Sequence, residues 1–537
     1  MAERSEGSGG FEMVDWKTLR RDVSLGVPAL RALFRSGLTP PLSPVSAIKI
    51  SRDLAVYGPS PAIGFAPGAA RHPEETAVVD ELDRRLNFRQ AEDLTRDCFA
   101  WLREQGVDAD SAVGVLGRNS IGMAVAIAAV ARTGADLVYL NPGFTASQVS
   151  DIIKDRGIGL VLVDDELRDR VPAAVRTEPL TDPWAWAGSG SAPTGHIGTG
   201  RHIILTSGTT GRPKGADRSA TPLEMTVSLL DSLPYRQRAT HIMAAPMFHG
   251  WGWLNHRLAA LLSTTEIMVP RPSAEQVLKA AAENRAEIIV TTPVVVRRLV
   301  EADPSQYDLS NLRGVLVSGS AIPPQIITEF SARYGSVLYN LYGTTEVALA
   351  TFARPEDLQA APDTAGRPLP GVEVAVLDPE GVPVPVGESG QVWVGSAATF
   401  GGYLDGGDKD RREGLVATGD LGYFNESGLL FIQGRADDLI ISGGENVHPA
   451  EVEVIIRDHP DVQDVAAVGR ADEEFGQAVV AHVVPDPAVA DLDAFRADVL
   501  EYAAERLAPY QRPREIIVET ALPTNETGKV LRRALAG

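Results

Sequence analysis

The sequence predicts an α/β protein: a large N-terminal domain of doubly wound sheets with a small β-barrel, and a small α+β C-terminal domain. Three observations carry this. Short apolar runs such as Thr76–Val79, Val113–Leu116, Ile288–Val290 and Gly314–Ser318 alternate with amphipathic stretches over most of the 537 residues, the rhythm of βαβ units. From Gly366 to Ile432 short β-rich runs lie between Gly/Pro turns, the pattern of a small barrel or meander. Beyond Asp438 about a hundred residues remain, enough for a separate small domain. The expected division is an N-terminal extension at 1–54, a main domain at 55–433, a linker at 434–438 and a C-terminal domain at 439–537.

Composition narrows the function. The net charge of −21 excludes a general nucleic-acid surface, which needs clustered Lys and Arg, and any anionic substrate must be met by local positive groups. The lone cysteine, Cys98, permits no internal disulfide and fits a reducing, cytoplasmic setting; its helical spacing with Leu94 and Leu102 makes it a core residue. The longest apolar run, Gly122 to Ala131, is too short to span a membrane and ends at Arg132. Residues 1–10 are polar and Gly/Ser-rich. Phe11 to Leu38 is amphipathic and locally basic, interrupted by Pro28; it reads as a helix packed on the body or, alternatively, as a peripheral membrane contact. The oligomeric state, a dimer among the candidates, stays open.

The most informative segment follows the strand-like Ile203-Ile204-Leu205. Thr206, Ser207, Gly208, Thr209, Thr210, Gly211, Arg212, Pro213, Lys214 and Gly215 combine three glycines, four hydroxyls and a lysine. Such a turn presents backbone N–H groups as an anion cradle. Its order is neither that of a P-loop nor that of the dinucleotide fingerprint. A second segment, Leu341 to Glu346, offers the ring of Tyr342 for stacking on a purine, the Thr345 hydroxyl for a phosphate oxygen and the Glu346 carboxylate for Mg²⁺. In Thr418-Gly419-Asp420 the carboxylate can accept two ribose hydroxyls, although Gly-Asp alone is an ordinary turn. Gly434 to Ile440, then Ser442 to Asn446, reads as a linker with a hairpin. No zinc spacing and no Gly-x-Ser-x-Gly elbow occurs.

These segments, with Pro523 to Lys529 near the C-terminus, resemble in order the motifs of the adenylate-forming enzymes: acyl-CoA synthetases, adenylation domains of peptide synthetases and firefly luciferase. The resemblance runs from about Ala55 to Leu535. It implies that Thr206 to Gly211 and Lys214 bind phosphate, with Thr206 and Glu346 at the metal. Gly319, Ser320 and Ala321 would lie along the adenine, with Tyr342, Gly343, Thr344 and Thr345 around the nucleotide. Asp420 and Arg435 would hold the ribose, and Lys529 would bridge carboxylate and α-phosphate. Asp437 would be the hinge of a mobile C-terminal domain; Gly443, Gly444 and Glu445 would line the pantetheine tunnel. Phe248, His249, Gly250, Trp251 and Trp253 would line the acyl site, with Gly250 and Gly252 leaving room beside the indoles and His249 as a gate. Catalysis would rest on Lys529, Glu346, Thr206 and His249, with ATP, Mg²⁺ and coenzyme A required. The Ser442–Pro449 stretch and the N-terminal extension are most like actinobacterial-type fatty acyl-CoA synthetases. A medium- or long-chain fatty acid is therefore the expected substrate. The alternative is an aryl or specialised acid, passed to CoA, a carrier protein or another nucleophile.

Overall fold

The computed structural model describes residues 27–38, 43–57, 60–188, 200–206, 214–217, 222–400, 402–403, 409–442, 445–472, 475–525 and 529–536. Two sheets form the main body. One has six strands in the order 176–179, 160–163, 112–116, 136–140, 202–206, 214–217. All its neighbours run parallel except the last pair. The other places the parallel strands Leu338–Thr344, Gly314–Ser318, Ile288–Thr291, Thr240–Met243, Thr265–Met268 and Thr76–Val79 side by side. All but Leu338–Thr344, which is half-buried, are almost wholly buried and rich in Val, Ile and Leu, as strands covered by helices on both faces must be. The β-rich stretch predicted after Gly366 forms antiparallel strands that continue this sheet through the pairing of Ala348–Ala353 with Thr364–Pro368.

Helix boundaries follow local chemistry. Helices Phe88–Glu104, Ala146–Arg156 and Ala274–Glu283 each start with a reciprocal capping box, from Asn87/Gln90, Thr145/Gln148 and Ser273/Gln276, which satisfies donors the first helical turn leaves open. The apolar run around Gly122–Ala131 is helix Ile121–Thr133, buried along its entire length. Gly122 is required there: a Cβ would lie 1.9 Å from the Leu180 carbonyl oxygen. Arg132, which closes the run, is fully buried and meets Glu92 through two hydrogen bonds of 3.0 and 2.8 Å. Breaking such a pair leaves a buried charge without its counter-ion. Glu92→Gln is expected to destabilise the main domain by about 3 kcal/mol, read as a lower denaturant midpoint; an unchanged midpoint would remove the pair from the account of stability.

Cys98 is a core residue, as its spacing predicts, and burial pushes its thiol pKa far up. Of the N-terminal amphipathic stretch, residues 27–36 are helical. The helix packs through Ala32 and Ser36, with Arg31 donating to Asp231 at 2.8 Å, and leaves Leu30 and Phe34 exposed. Residues 1–26 lie outside the described residues. Among the described residues no helix is long and apolar enough to cross a membrane.

The last part of the chain folds on its own core of Val452, Ile456, Val465, Val483, Phe495 and Val499. Its five-stranded sheet centres on the long hairpin Val462–Asp472/Gly476–Pro485. The connection from the main body is a short 3-10 turn, Ala436–Asp438, after strand Leu430–Arg435.

Candidate active site

Three of the motifs follow the carboxyl ends of parallel strands, at Thr206, Gly319 and Leu341–Glu346, where open α/β sheets bind ligands. Strand His202–Thr206 ends at the proposed phosphate loop and returns as Lys214–Asp217, with Thr206 directly opposite Lys214. Ser207, Gly208, Thr209, Thr210 and Gly211 lie outside the described residues, as do the side chains of Thr206 and Lys214. Gly319 ends strand Gly314–Ser318 with φ +115° and open space where a Cβ would be, and Gly319 and Ala321 are exposed. An L-residue rarely adopts that backbone, so glycine is needed for the chain to turn here.

The second motif sits on a hairpin. Strand Leu338–Thr344 pairs antiparallel with Ala348–Ala353, with an irregularity between Tyr342 and Gly343. A Cβ at Gly343 would lie 1.9 Å from the Ala348 oxygen, so only glycine lets the two strands close around the tip that carries Thr345 and Glu346. The Glu346 N–H donates to the Thr344 hydroxyl at 3.2 Å, and the Phe400 N–H to the Glu346 carbonyl at 2.8 Å. The Tyr403 hydroxyl donates to the Glu346 carboxylate. Burial alone would raise the Glu346 pKa; hydrogen bonds from Tyr403 and Thr344 and the charge of Lys409 reverse this and hold it below the usual value. An ionised, partly buried, hard oxygen ligand results, which fits Mg²⁺. Tyr403 and Lys409 had no signal of their own in the sequence, because each meets Glu346 only through the fold.

The ribose candidates form one hydrogen-bonded chain. Asp420 and Arg435 are direct cross-strand partners. The Tyr342 hydroxyl donates to one Asp420 oxygen at 2.5 Å, and Arg435 to the other at 3.3 Å. Arg435 also donates to Asp437 at 3.0 Å and to the Thr418 carbonyl at 3.1 Å. Gly419, at φ +82°, makes room: a Cβ there would meet the Arg435 guanidinium at 2.8 Å. Burial raises the Asp420 pKa, while the Tyr342 hydrogen bond and the charges of Arg435 and Lys529 pull against it. The Lys529 charge thus acts on Asp420 across the junction between main body and C-terminal domain. Lys529 is exposed, and its N–H donates to the Asn525 side chain at 2.9 Å. Glu445 is exposed in strand Glu445–Val447, and Gly443 and Gly444 lie outside the described residues.

The acyl candidates start helix Gly250–Leu262. Phe248, Trp251 and Trp253 are buried, the Phe248 and His249 rings lie 4.7 Å apart, and Trp251 donates to the Thr291 carbonyl at 3.1 Å. Burial lowers the His249 pKa to about 4, so its imidazole is neutral near pH 7. The two glycines differ. A Cβ at Gly250 would make only an ordinary contact, with the Ile204 side chain at 3.9 Å, whereas a Cβ at Gly252 would lie 2.2 Å from the Pro246 oxygen. Gly252 therefore lets the helix close on the preceding turn and does not widen a pocket, which corrects the sequence reading of that residue. Buried Asn119 anchors this turn from another strand system. It donates to the Met243 and Ala245 carbonyls at 2.9 and 2.8 Å and accepts from the Met247 N–H at 2.8 Å. A single polar residue after a strand gave no hint of that role.

Comparison with known proteins agrees with this arrangement. Residues 65–404 match the AMP-binding enzyme family, and residues 451–529 match the AMP-binding enzyme C-terminal domain. An indoleacetate–CoA ligase of Aromatoleum aromaticum is 31% identical over 494 residues, covering 87% of this chain and 94% of its own. A long-chain-fatty-acid–CoA ligase of Mycobacterium tuberculosis is 28% identical, covering 85% and 94%. The ATP-bound structure of MatB from Rhodopseudomonas palustris superposes with a TM-score of 0.79 at 28% identity, covering 88% of this chain and 98% of that one. Both the large domain and the small one are accounted for, and the chain belongs to the AMP-binding enzyme family of adenylate-forming enzymes.

Proposed function

We propose that the protein is an AMP-forming acid–CoA ligase. The carrying observation is the convergence of Tyr342, Asp420 and Arg435 in one hydrogen-bonded chain, with Lys529 of the C-terminal domain close to it. In the first half-reaction a carboxylate oxygen attacks the α-phosphorus of ATP, an acyl–phosphate bond forms and pyrophosphate leaves. Two anions must approach, so the site has to offset their charge with fixed groups. Lys529 supplies a cation, the turn from Thr206 to Lys214 supplies N–H and hydroxyl donors, and Asp420 holds the ribose while Tyr342 and Arg435 fix its orientation. Glu346 and the Thr206 hydroxyl would hold Mg²⁺, which when bound neutralises phosphate charge. In the second half-reaction a thiolate attacks the acyl carbon, a thioester forms and AMP leaves with the phosphate oxygen. That step needs different neighbours around the same adenylate. Rotation of the C-terminal domain about Asp437 would withdraw Lys529 and bring Gly443, Gly444 and Glu445 to the thiol's path.

The acid is read first as a medium- or long-chain fatty acid, on the apolar wall of Phe248, Trp251 and Trp253 and the likeness to a fatty-acid ligase. A second reading, an aryl acid, is favoured by the fixed planar rings: Trp251 is pinned to Thr291 and Phe248 packs on His249, and an indoleacetate ligase is among the relatives. Pyrophosphate release with ATP and Mg²⁺ over a panel of fatty and aryl acids separates the two. Turnover by decanoate or longer chains with silence for indoleacetate supports the first, and the reverse supports the second. Release that CoA does not increase would point to a carrier protein or another acceptor.

A further inference from the structure

Asp464, in the first C-terminal hairpin strand, is shared by two arginines from different domains. Arg297, on main-body helix Pro293–Glu301, donates to one of its oxygens at 3.1 Å. Arg457, in the same domain as Asp464, donates to the other at 2.9 Å. A second cross-domain bond joins Gln325 to Asp458 at 2.7 Å. Arg297, Gln325, Arg457 and Asp464 themselves, with Ile326 and Leu522, line a cavity of about 450 Å³ between the two domains. Nε of Arg457 and Oε1 of Gln325 are buried there without a partner among the described residues. The junction is thus held by a few polar contacts across a loosely filled space, unlike the dense packing of a domain interior, and it occurs in the orientation that brings Lys529 near Asp420.

We propose that Arg297 is a positioning residue for the first half-reaction: its pair with Asp464 latches the C-terminal domain where Lys529 faces the nucleotide, and the latch opens for the second half-reaction. This rests on the two-orientation reading given above. Releasing an ion pair is costly when a buried charge is stranded. Here Arg457 travels with Asp464, so the carboxylate keeps a counter-ion when the domain turns, and Arg297, a third exposed, is solvated on release. The geometry favours one orientation without locking it.

The test measures the half-reactions apart, with decanoate or indoleacetate, whichever turns over better: acid-dependent ATP–pyrophosphate exchange, and thioester formation from the synthetic acyl-adenylate. Arg297→Ala is expected to slow exchange by about 3- to 10-fold, the range of a modest shift between two states, and to leave thioester formation unchanged or faster. Arg297→Lys should restore most of the loss. Asp464→Asn should match Arg297→Ala, and the double variant should be no worse than either. Arg470→Ala, which breaks a pair inside the C-terminal domain, should change neither rate, and thermal unfolding of each variant reports on folding. Equal loss in both half-reactions, no loss in either, or additive losses in the double variant would overturn the latch. Lys529→Ala run alongside tests the underlying reading separately: if it depresses both half-reactions alike, the two-orientation reading fails whatever Arg297 does.

Discussion

Replacing Lys529 by Ala is expected to reduce acid-dependent ATP–pyrophosphate exchange by about 100- to 1,000-fold, the usual cost of deleting one preorganised group that stabilises developing charge. Thioester formation from a supplied acyl-adenylate should remain within a few-fold of the parent. The asymmetry follows from position. Lys529 sits on an exposed loop of the C-terminal domain, its backbone tied to Asn525, and touches the nucleotide region only through the orientation of that domain. It supports no core, so removing it should leave the unfolding midpoint unchanged. Loss of both half-reactions together would show that Lys529 serves a step common to both. Full retention of exchange would remove it from the catalytic set.

The second large effect belongs to Asp420. Its two oxygens are engaged by Tyr342 and Arg435, and it is almost wholly buried. In Asp420→Asn the amide can accept on one side only and turns a donor toward either the Tyr342 hydroxyl or the Arg435 guanidinium. Hydrogen bonds to a charged group contribute about 1.5–3 kcal/mol, so ATP and AMP should bind roughly 10- to 100-fold more weakly, as equilibrium titration would show. A pH dependence follows with a definite sign. Burial raises the Asp420 pKa, so on acidification the ionised form that accepts ribose hydroxyls is lost at a higher pH than for a solvated carboxylate, and nucleotide affinity falls there. Unchanged affinity in the variant would mean that the ribose is held elsewhere.

Much of the fold was legible in the sequence because its signals are local. Apolar runs such as Ile288–Val290 and Gly314–Val317 needed no partner to read as buried strands. The motif order likewise singled out Tyr342, Asp420 and Arg435, which the fold brings into contact. What escaped was whatever depends on a distant neighbour. Tyr342 reads as a stacking face, yet its hydroxyl lies on Asp420, 78 residues away in sequence. Gly250 and Gly252 look alike in sequence, but only the second is closed off by the Pro246 carbonyl. Tyr403 beside Glu346, Asn119 beneath Met247 and Arg297 against Asp464 are ordinary residues until topology pairs them. In the N-terminal helix, too, Ala32 and Ser36 are buried while Leu30 and Phe34 are exposed, a distribution set by what the helix packs against.

One site is expected to join an acid to CoA through an acyl-adenylate. The most direct measurement follows AMP, pyrophosphate and thioester together in a single reaction of ATP, Mg²⁺, CoA and the preferred acid. Equal amounts of all three are expected, with an acyl-adenylate accumulating when CoA is left out. ADP and phosphate as products, or a thioester formed without matching AMP, would contradict it.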